Sequence, residues 1–332
     1  MLQQKSQDYF GDLRNILSQT QRILEFDTTK LLDRETVQGV SRASEALYDA
    51  GEIEPSDAVL ILRLYQLSTG QACRKEGVSK KYRYVFVDES QDYGPVDLAT
   101  LIGSIEHVKG LTLVGDAGQD ISQQGTFPGW KILAEHWDMD HSLTRSVAFT
   151  VSHRSTLPIM KFADAVHGSA RTTDGREGRA PIWFVCRDEQ RGVKEALNWL
   201  ERVFEKFPGT LTAVLCGNPS EARHVTSLLT PTFQSAVRSG EDEQFSFEEG
   251  IVVTDVRSVK GLEFPNVLLW NPSKRVYPDH QRSRNALYVA LTRAEELVCL
   301  VTWGEHSPVL PSPHSKLVRS VIQEPDPVEE RD

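Results

Sequence analysis

Residues 82–102 read YRYVFVDESQDYGPVDLATLI, and this stretch places two carboxylates directly after a run of apolar residues. Asp88 and Glu89 end the run, and Gln91 and Asp92 follow them. The helix-like PVDLATLIGSIEH and a second apolar run, GLTLVG, come next, which predicts strand, helix and strand in that order. This order is typical of a parallel sheet with crossover helices, so we expect an α/β fold.

A second series of the same kind follows further along the chain. Strands are predicted in APIWFVCR, LTAVLCGN, EGIVVTDVRS, VLLWNP and EELVCLVTW, and helices in GVKEALNWLERVFEKF, PSEARHVTSLLTPTF and RNALYVALTRA. We expect the boundary between the two α/β units near residues 145–180, because GSARTTDGREGRAP has the polar, glycine-containing composition of a loop. Residues 1–80 look helical.

Composition limits the classes of function. The chain has 332 residues, 39% of them hydrophobic and 25% charged, and no apolar run approaches the ~18 residues of a membrane span. The polar start is unlike a signal peptide, and the four cysteines are scattered without metal-site spacing, so we expect a reduced, cytoplasmic protein without a membrane segment.

The charge balance argues against tight nucleic-acid binding by charge alone, since the net charge is −10. Residues 271–288, NPSKRVYPDHQRSRNALY, are a local exception with four basic residues and one acid. Such a run fits either a solvated loop or a basic groove.

The acidic pair has two interpretations. Ligands of open parallel sheets bind beyond the carboxyl ends of the strands, where Asp88, Glu89, Asp116 and Gln119 are predicted to lie. There, one carboxylate suits a hydrated Mg²⁺ and the next can orient or deprotonate a nucleophile. Alternatively, Asp88, Asp92 or Asp97 simply caps the helix that follows it.

Three later stretches present basic and acidic side chains in turn. VSHRS contains Arg154, VKGLEFPNV contains Lys260, Gly261 and Glu263, and LYVALTRAEE contains Arg293. An arginine can stabilise charge during phosphoryl transfer, although a single arginine is more often a surface or ion-pair residue.

Taken in order, VDESQD, LVGDAGQDIS, SHRST, TDVRSVKGLEF and ALYVALTRA resemble motifs II to VI of the superfamily 1 helicases, the family of UvrD and Rep. The resemblance covers roughly residues 82–302. The short stretch between Arg154 and Thr254 leaves little room for the large inserted subdomain that UvrD and Rep carry. This feature and the lead-in before DESQDY make the chain look closer to the HelD-like branch.

The resemblance implies a RecA-like P-loop NTPase motor fold, with an incomplete first RecA-like domain and a complete second one. Residues 1–80 would be a helical lead-in belonging to the first motor domain, and residues 81–150 would form the rest of it. Residues 151–322 would be the second domain. Residues 323–332, an acidic and proline-containing tail, are expected to be disordered.

The resemblance also implies roles in binding ATP with Mg²⁺. Asp88 would hold the metal, and Glu89 would activate the attacking water. Gln91 and Gln119 would sense the γ-phosphate and couple it to the nucleic-acid path. The remaining implied roles are arginine fingers for Arg154 and Arg293, ribose contact for Glu263, strand binding and domain coupling for Thr254, Lys260 and Gly261, and packing for Tyr288.

Two positions depart from the family pattern. Ser90 stands where the family often has alanine, which is a small change. His153 stands where the family usually has a tyrosine that stacks on the adenine, which puts nucleotide affinity or base choice in question.

The sequence contains no Gly-Lys dipeptide and therefore no phosphate-binding loop of the form G-x-x-x-x-G-K-[ST]. Mg²⁺ binds weakly to one or two carboxylates alone, so most of the binding energy for a triphosphate is missing. We therefore expect this chain to be inactive by itself.

Three hypotheses follow. In the first, the chain is the C-terminal portion of an ATP-dependent helicase or translocase that acts on nucleic acid, with single-stranded DNA expected, and another part or a partner subunit supplies the P-loop. In the second, it is a non-hydrolysing module that docks on a protein: RNA polymerase, a nuclease or a defence complex. In the third, Asp88, Glu89 and Asp116 serve a metal-dependent nuclease, which leaves the arginine motifs unexplained.

Overall fold

The computed structural model describes residues 33–323, apart from 51, 53–54, 73, 76–77, 80, 122–126, 128, 137–144, 171 and 241–246. Contacts between Cα atoms divide the chain into two units. The first comprises Met1–Ala117 and Ser122–Arg145, and the second comprises Gly118–Ile121 and Ser146–Asp332. Our predictions for residues 1–32 and for the tail after 323 lie outside the described residues.

The first unit combines helices with two small sheets. Its described helices are α1 (Arg34–Ala50), α2 (Pro55–Thr69), α3 (Pro95–Gly103) and α4 (Trp130–His136). Its described strands are β1 (Arg74–Lys75), β2 (Val78–Ser79), β3 (Val85–Val87) and β4 (Leu111–Leu113). Strands β3 and β4 pair in parallel, as the sequence predicts, whereas β1 and β2 form an antiparallel pair that we did not predict within the helical lead-in.

Helices α2 and α3 are joined through a buried glutamine. The Gln66 side chain is 6% exposed, and its Nε2 donates to the Thr100 carbonyl at 2.9 Å and to Ser104 Oγ at 3.1 Å. A buried amide that finds such partners costs little and fixes the packing of the two helices.

The second unit is an α/β domain built on a seven-stranded sheet. Its described helices are α5 (Leu157–His167), α6 (Glu189–Lys206), α7 (Pro219–Phe233) and α8 (Gln281–Thr292). Its described strands are β5 (Val151–Thr156), β6 (Asp174–Arg176), β7 (Ile182–Cys186), β8 (Leu211–Cys216), β9 (Val237–Ser239), β10 (Gly250–Asp255), β11 (Phe264–Trp270), β12 (Ala294–Trp303) and β13 (Arg319–Ile322).

The strand order of this sheet is β13-β7-β12-β11-β8-β10-β9, and every pair is parallel. Strands β8 and β10 are buried along their whole length, which explains their continuous apolar sequences. Along β8, Ala213 and Leu215 face one apolar cluster with α5 and α8, while Val214 and Cys216 face another with α6 and α7. Helices therefore cover both faces of the sheet.

The segment that we predicted as a boundary loop is more structured than expected. Strand β5, helix α5 and strand β6 all lie between residues 151 and 176, and β6 lies inside the polar GSARTTDGREGRAP. The sequence did not predict β6, because its charged side chains give no alternating apolar pattern. It pairs with β5 through backbone groups rather than through an apolar face.

The cysteines behave as packing residues where they are described. Cys186, Cys216 and Cys299 are free and buried, and burial raises the pKa of the Cys186 thiol to about 11. A thiol held neutral in this way is a poor nucleophile or metal ligand.

Candidate active site

The acidic pair lies at the carboxyl end of β3. Both side chains are exposed, and Asp88 Oδ1 accepts the backbone N–H of Glu89 at 2.9 Å. Glu89 has φ 49° and ψ 40°, a left-handed conformation that is uncommon for a residue with a side chain. Such backbone strain at a strand end is typical of functional positions.

Gln91 connects this strand end to the neighbouring one. Its side chain is fully buried, its Nε2 donates to Glu89 Oε2, and its Oε1 accepts the backbone N–H of Asp116 at 3.0 Å. Ser90 adds a second link, because its Oγ donates to the Val114 carbonyl at 2.7 Å. The structure thus gathers Glu89, Gln91 and the Asp116 backbone at one edge of the small parallel sheet.

The capping interpretation applies to Asp97 rather than to Asp88. The Asp97 carboxylate accepts the Gly94 N–H at 2.9 Å at the start of α3, whereas the short 3₁₀ turn Ser90–Asp92 has no side-chain cap. Asp88 and Glu89 therefore keep carboxylate oxygens on the surface.

The donor set fits Mg²⁺ only as part of a nucleotide complex. Among the described residues, no group of three or more acidic, histidine or cysteine side chains could hold a metal. Asp88 offers an exposed carboxylate, and Mg²⁺ is usually held by one or two carboxylates together with phosphates and water. Asp88 could hold the ion when a triphosphate brings it.

Arg154 and Glu263 come together in the second unit. Arg154 Nη2 lies 2.9 Å from Glu263 Oε1, and the two side chains are 44% and 41% exposed. Arg154 belongs to β5, and Glu263 immediately precedes β11, so tertiary packing alone joins them. Half-exposed groups of this kind can exchange their partner for a ligand.

Arg293 is buried, in contrast to the exposed side chain expected of an arginine finger. It is 2% exposed and ends α8, where a cation is favourable beside the last helical carbonyls. Its Nη1 donates to the Leu262 carbonyl and its Nε to the Val289 carbonyl, both at 3.2 Å. Its Nη2 donates to Gln119 Oε1 at 3.0 Å.

Gln119 belongs to the second unit together with its neighbours Gly118–Ile121. Besides the contact of Gln119 with Arg293, Asn285 Nδ2 donates to the Asp120 carbonyl at 2.8 Å. Two side chains of the α8 region therefore hold this four-residue segment. The structure brings Gln119 and Arg293 into contact, which the sequence did not predict.

The three predicted coupling residues lie in different surroundings. Thr254 is fully buried in β10, and its Oγ1 donates to the Gly240 carbonyl at 3.2 Å, so its side chain is not part of a surface. Gly261 is exposed with φ 79°, a conformation that favours glycine. Lys260 is partly buried beside it.

The two remaining motif positions are His153, which is exposed, and Tyr288, which is 4% exposed. The Tyr288 ring lies 5.3 Å from the His167 ring of α5, so it packs α8 against α5. Its effect on Arg293 stays a prediction.

Sequence reasoning missed Arg176. Its guanidinium donates to the Arg154 carbonyl at 3.2 Å and lies 2.7 Å from Glu296 Oε1. Arg176 thereby attaches the backbone of Arg154 to the start of β12. An arginine in a polar segment carries no pattern that could reveal this contact.

Comparisons with known proteins give one family match, in the second unit. Residues 250–301 match the family of UvrD-like helicase C-terminal domains. The match contains Glu263 and Arg293 and spans β10, β11, α8 and most of β12. A search of curated proteins gives no match.

Three of the solved structures similar to the chain have helicase in their descriptions. The C-terminal domain of a possible DNA helicase from Lactobacillus plantarum is 24% identical, with a TM-score of 0.42, covering 51% of this chain and 98% of that one. An arterivirus nonstructural protein 10 helicase is 16% identical, with a TM-score of 0.34 and 72% of this chain covered. The PRRSV helicase is 14% identical, with a TM-score of 0.35 and 70% covered. This chain spans 41% and 36% of the two viral proteins.

The large parallel sheet and the family match together make this chain similar to the C-terminal portion of a UvrD-like helicase. None of its described helices is long and apolar enough to cross a membrane.

Proposed function

We propose that this chain is a portion of an ATP-dependent superfamily 1 helicase or translocase of the HelD-like branch, acting on single-stranded DNA. Arg154, Glu263 and Arg293 carry this proposal, because they converge on one segment. Glu263 pairs with Arg154, and the carbonyl of the preceding Leu262 accepts from Arg293. Three residues from separate motifs have no shared structural reason to meet there.

The proposed chemistry divides between the two units. In the first unit, Asp88 holds Mg²⁺ of Mg·ATP and Glu89 activates the attacking water, held in place through Gln91. In the second, Arg154 contacts phosphate and Glu263 contacts the ribose. Arg293 acts on the γ-phosphate once its contact with Gln119 is exchanged for the nucleotide. The P-loop comes from a polypeptide outside these 332 residues.

A protein-docking role is the second candidate, and one surface favours it. Tyr82, Tyr84 and Phe86 alternate along the β3 segment and are 64%, 78% and 67% exposed. We name these three residues the aromatic stripe. Isolated exposed apolar residues are ordinary, but three alternating aromatic side chains within and just before one strand are typical of a covered surface. In this second candidate, a protein partner packs on the aromatic stripe.

ATP turnover tests the proposal. We expect no Mg²⁺-dependent turnover by the chain alone, with or without single-stranded DNA. We expect turnover when a P-loop-bearing polypeptide is added and its loss on Glu89→Gln, because the water then has no base. Glu106→Gln, the same change at an exposed acid of the first unit, is the matched control.

Two results would contradict this account. Turnover by the chain alone that disappears in Glu89→Gln would mean that another phosphate-binding element completes the site. Equal turnover of the Glu89→Gln and Glu106→Gln variants in the reconstituted protein would exclude Glu89 as the base and favour the docking role.

A further inference from the structure

A row of polar side chains holds the segment Gly118–Ile121 from outside. Asn285 Nδ2 donates to the Asp120 carbonyl at 2.8 Å, and Asn285 Oδ1 accepts from Gln281 Nε2 at 2.8 Å. Gln281 Nε2 in turn lies 3.4 Å from His167 Nε2. We name His167, Gln281 and Asn285 the hydrogen-bond relay. Its members and the held segment all belong to the second unit.

The donors and acceptors of the relay are fixed from one end. The Asp120 carbonyl can only accept, so Asn285 turns its amide nitrogen to the segment and its oxygen to Gln281. That oxygen needs a donor, and Gln281 provides its amide nitrogen. Because an amide nitrogen cannot accept, His167 Nε2 is the acceptor of the last contact and carries no proton.

The relay therefore selects one form of His167. In a neutral imidazole with a bare Nε2, the proton lies on Nδ1, which lies 3.2 Å from the Ser169 Oγ that accepts it. A second proton would put an N–H on Nε2, facing the N–H groups of Gln281. Two donors make no hydrogen bond, so a protonated His167 does not fit the relay.

A break at His167 would reach Asn285. If Gln281 turned its oxygen to the protonated ring, Asn285 Oδ1 would lose its donor. Asn285 is 8% exposed, so water replaces that donor poorly, whereas Gln281 is exposed and can turn. An unsatisfied buried oxygen is costly, and a new orientation of the Asn285 amide removes its bond to Asp120.

Charged and titratable groups lie on each element packed around His167. Arg284 Nη1 donates to the carbonyl of the preceding Val166 at 3.2 Å, so a proton on His167 would bring two positive charges together. Asp279 partly offsets the charge of Arg284, with which it pairs at 2.8 Å. The other groups are Asp164 on α5, Asp120 in the segment, and His280 and Tyr288 at the start of α8 and within it.

We propose that the relay positions Gly118–Ile121 while His167 is neutral and releases this segment when His167 takes up a proton. Gln119 Oε1 accepts from Arg293 at 3.0 Å, so release also loosens this partner of Arg293. Histidine ordinarily changes charge between about pH 5 and pH 8, which makes the relay a pH-dependent control of the candidate site. That Arg293 acts on a nucleotide rests on the proposed function. The relay itself does not.

The position of the proton on His167 is the first test. In the full chain with nitrogen-labelled histidine, long-range proton–nitrogen NMR spectra show which ring nitrogen carries the proton, and His167→Gln identifies the signals by their loss. At about pH 8 we expect the proton of His167 on Nδ1. A proton on Nε2, or on both nitrogens, would overturn the proposal.

The release is the second test, and Ile121 reports it because it lies in the segment and is 8% exposed. With labelled isoleucine methyl groups, the Ile121 signal should shift between about pH 8 and pH 5 with the same midpoint as the His167 ring. In His167→Gln, which keeps an acceptor oxygen and takes up no proton, that shift should be lost. The exposed His314→Gln is the matched control and should retain it. The signal of Ile251, buried in β10, should stay in place and show that the sheet remains folded.

Asn285→Ala breaks the relay at its last link. Its Ile121 signal at about pH 8 should already lie where the unchanged chain places it at about pH 5. An Ile121 signal that stays in place while His167 titrates, or that still shifts in His167→Gln, would mean that the relay does not control the segment. None of these measurements uses a nucleotide. A failed turnover test therefore removes the proposed function alone, and a failed titration removes the relay alone.

Discussion

Arg154 and Arg293 carry the same charge in different surroundings. Arg154 has one ion-pair partner and a side chain that is almost half exposed, whereas Arg293 is buried and donates to two carbonyls and an amide. An exposed ion pair contributes little to stability. Removal of a buried guanidinium costs more, because it leaves buried acceptors without their donor. Arg293 therefore serves the fold as well as the proposed chemistry.

Alanine substitutions should separate the two arginines. Arg154→Ala is expected to lower the free energy of unfolding by less than about 1 kcal/mol. Arg293→Ala is expected to lower it by about 2–4 kcal/mol, because the Leu262 carbonyl and Gln119 Oε1 lose their guanidinium donor and the buried side chain leaves a cavity. Urea denaturation followed by tryptophan fluorescence measures both. Equal losses would mean that Arg293 is solvated in solution.

The close packing around Gly115 predicts that an added side chain there will disturb the acidic site. A Cβ at this position would lie 2.3 Å from Gln91 Oε1 and 3.0 Å from the Ser90 N. Gly115→Ala should displace Gln91 and speed hydrogen exchange of residues 85–92, measured by mass spectrometry. Gly39→Ala is the control, since nothing lies within 4 Å of its added Cβ in helix α1. Alanine there should be neutral or stabilising by up to about 1 kcal/mol. Unchanged exchange in Gly115→Ala would contradict the contact with Gln91.

The burial of His306 predicts how the stability of the protein depends on pH. Burial lowers the pKa of its imidazole, whose ring packs edge-on against Trp183 at 5.1 Å. The unfolded chain then binds a proton more readily than the folded one, so stability falls as the pH drops through about 6.5. His306→Phe keeps the ring contact and should flatten the fall in unfolding temperature between about pH 8 and pH 5. The exposed His314→Phe should leave that fall unchanged, and an equal effect of both variants would contradict the assignment.

At the scale of elements, neighbouring strands of the large sheet are joined by a side-chain hydrogen bond as well as by backbone hydrogen bonds. Trp183 of β7 is fully buried, and its Nε1 donates to Thr302 Oγ1 of the neighbouring β12 at 2.9 Å. Thr302 is 1% exposed, so water cannot replace it. This bond gives the large indole a defined orientation between two strands.

Removing the acceptor tests that bond. Thr302→Val keeps the shape of the side chain but leaves the Trp183 N–H unsatisfied, which should cost about 1–3 kcal/mol of the free energy of unfolding. Thr302→Ser keeps the hydroxyl and should cost clearly less. Urea denaturation compares the two variants. If valine were as stable as serine, the indole N–H would have found another partner.

At the scale of the whole molecule, the two units differ in how much structure their sheets contribute. The second unit has seven parallel strands between two apolar clusters, whereas the described strands of the first are only two or three residues long. The aromatic stripe adds exposed apolar surface to the first unit. We expect the first unit to unfold before the second.

Calorimetry should therefore resolve two transitions. Tyr84→Ser together with Phe86→Ser should leave both transitions nearly unchanged, within about 0.5 kcal/mol, because these side chains are already exposed. Val87→Ser, on the same strand but 6% exposed, should lower the first transition. A large destabilisation by the double change would mean that the stripe is covered within the chain itself.

The sequence predicted what depends on local pattern. The apolar runs of β8 and β10 indicated strands of a parallel sheet, and the helices α6 and α7 were recognised from their sequence pattern. The motif residues were likewise visible in order along the chain. Strands β5 and β6 were not, since backbone pairing rather than an apolar face defines them.

The tertiary structure decided which of those residues meet and which remain on the surface. It joined Arg154 to Glu263, buried Arg293 against Gln119, and placed Thr254 inside the sheet. It also paired Lys274 with Glu305 and Arg284 with Asp279 within the basic run. Periodicity records the face of an element on which a residue lies. Burial and partners depend on elements far away in the chain, and only their packing determines them.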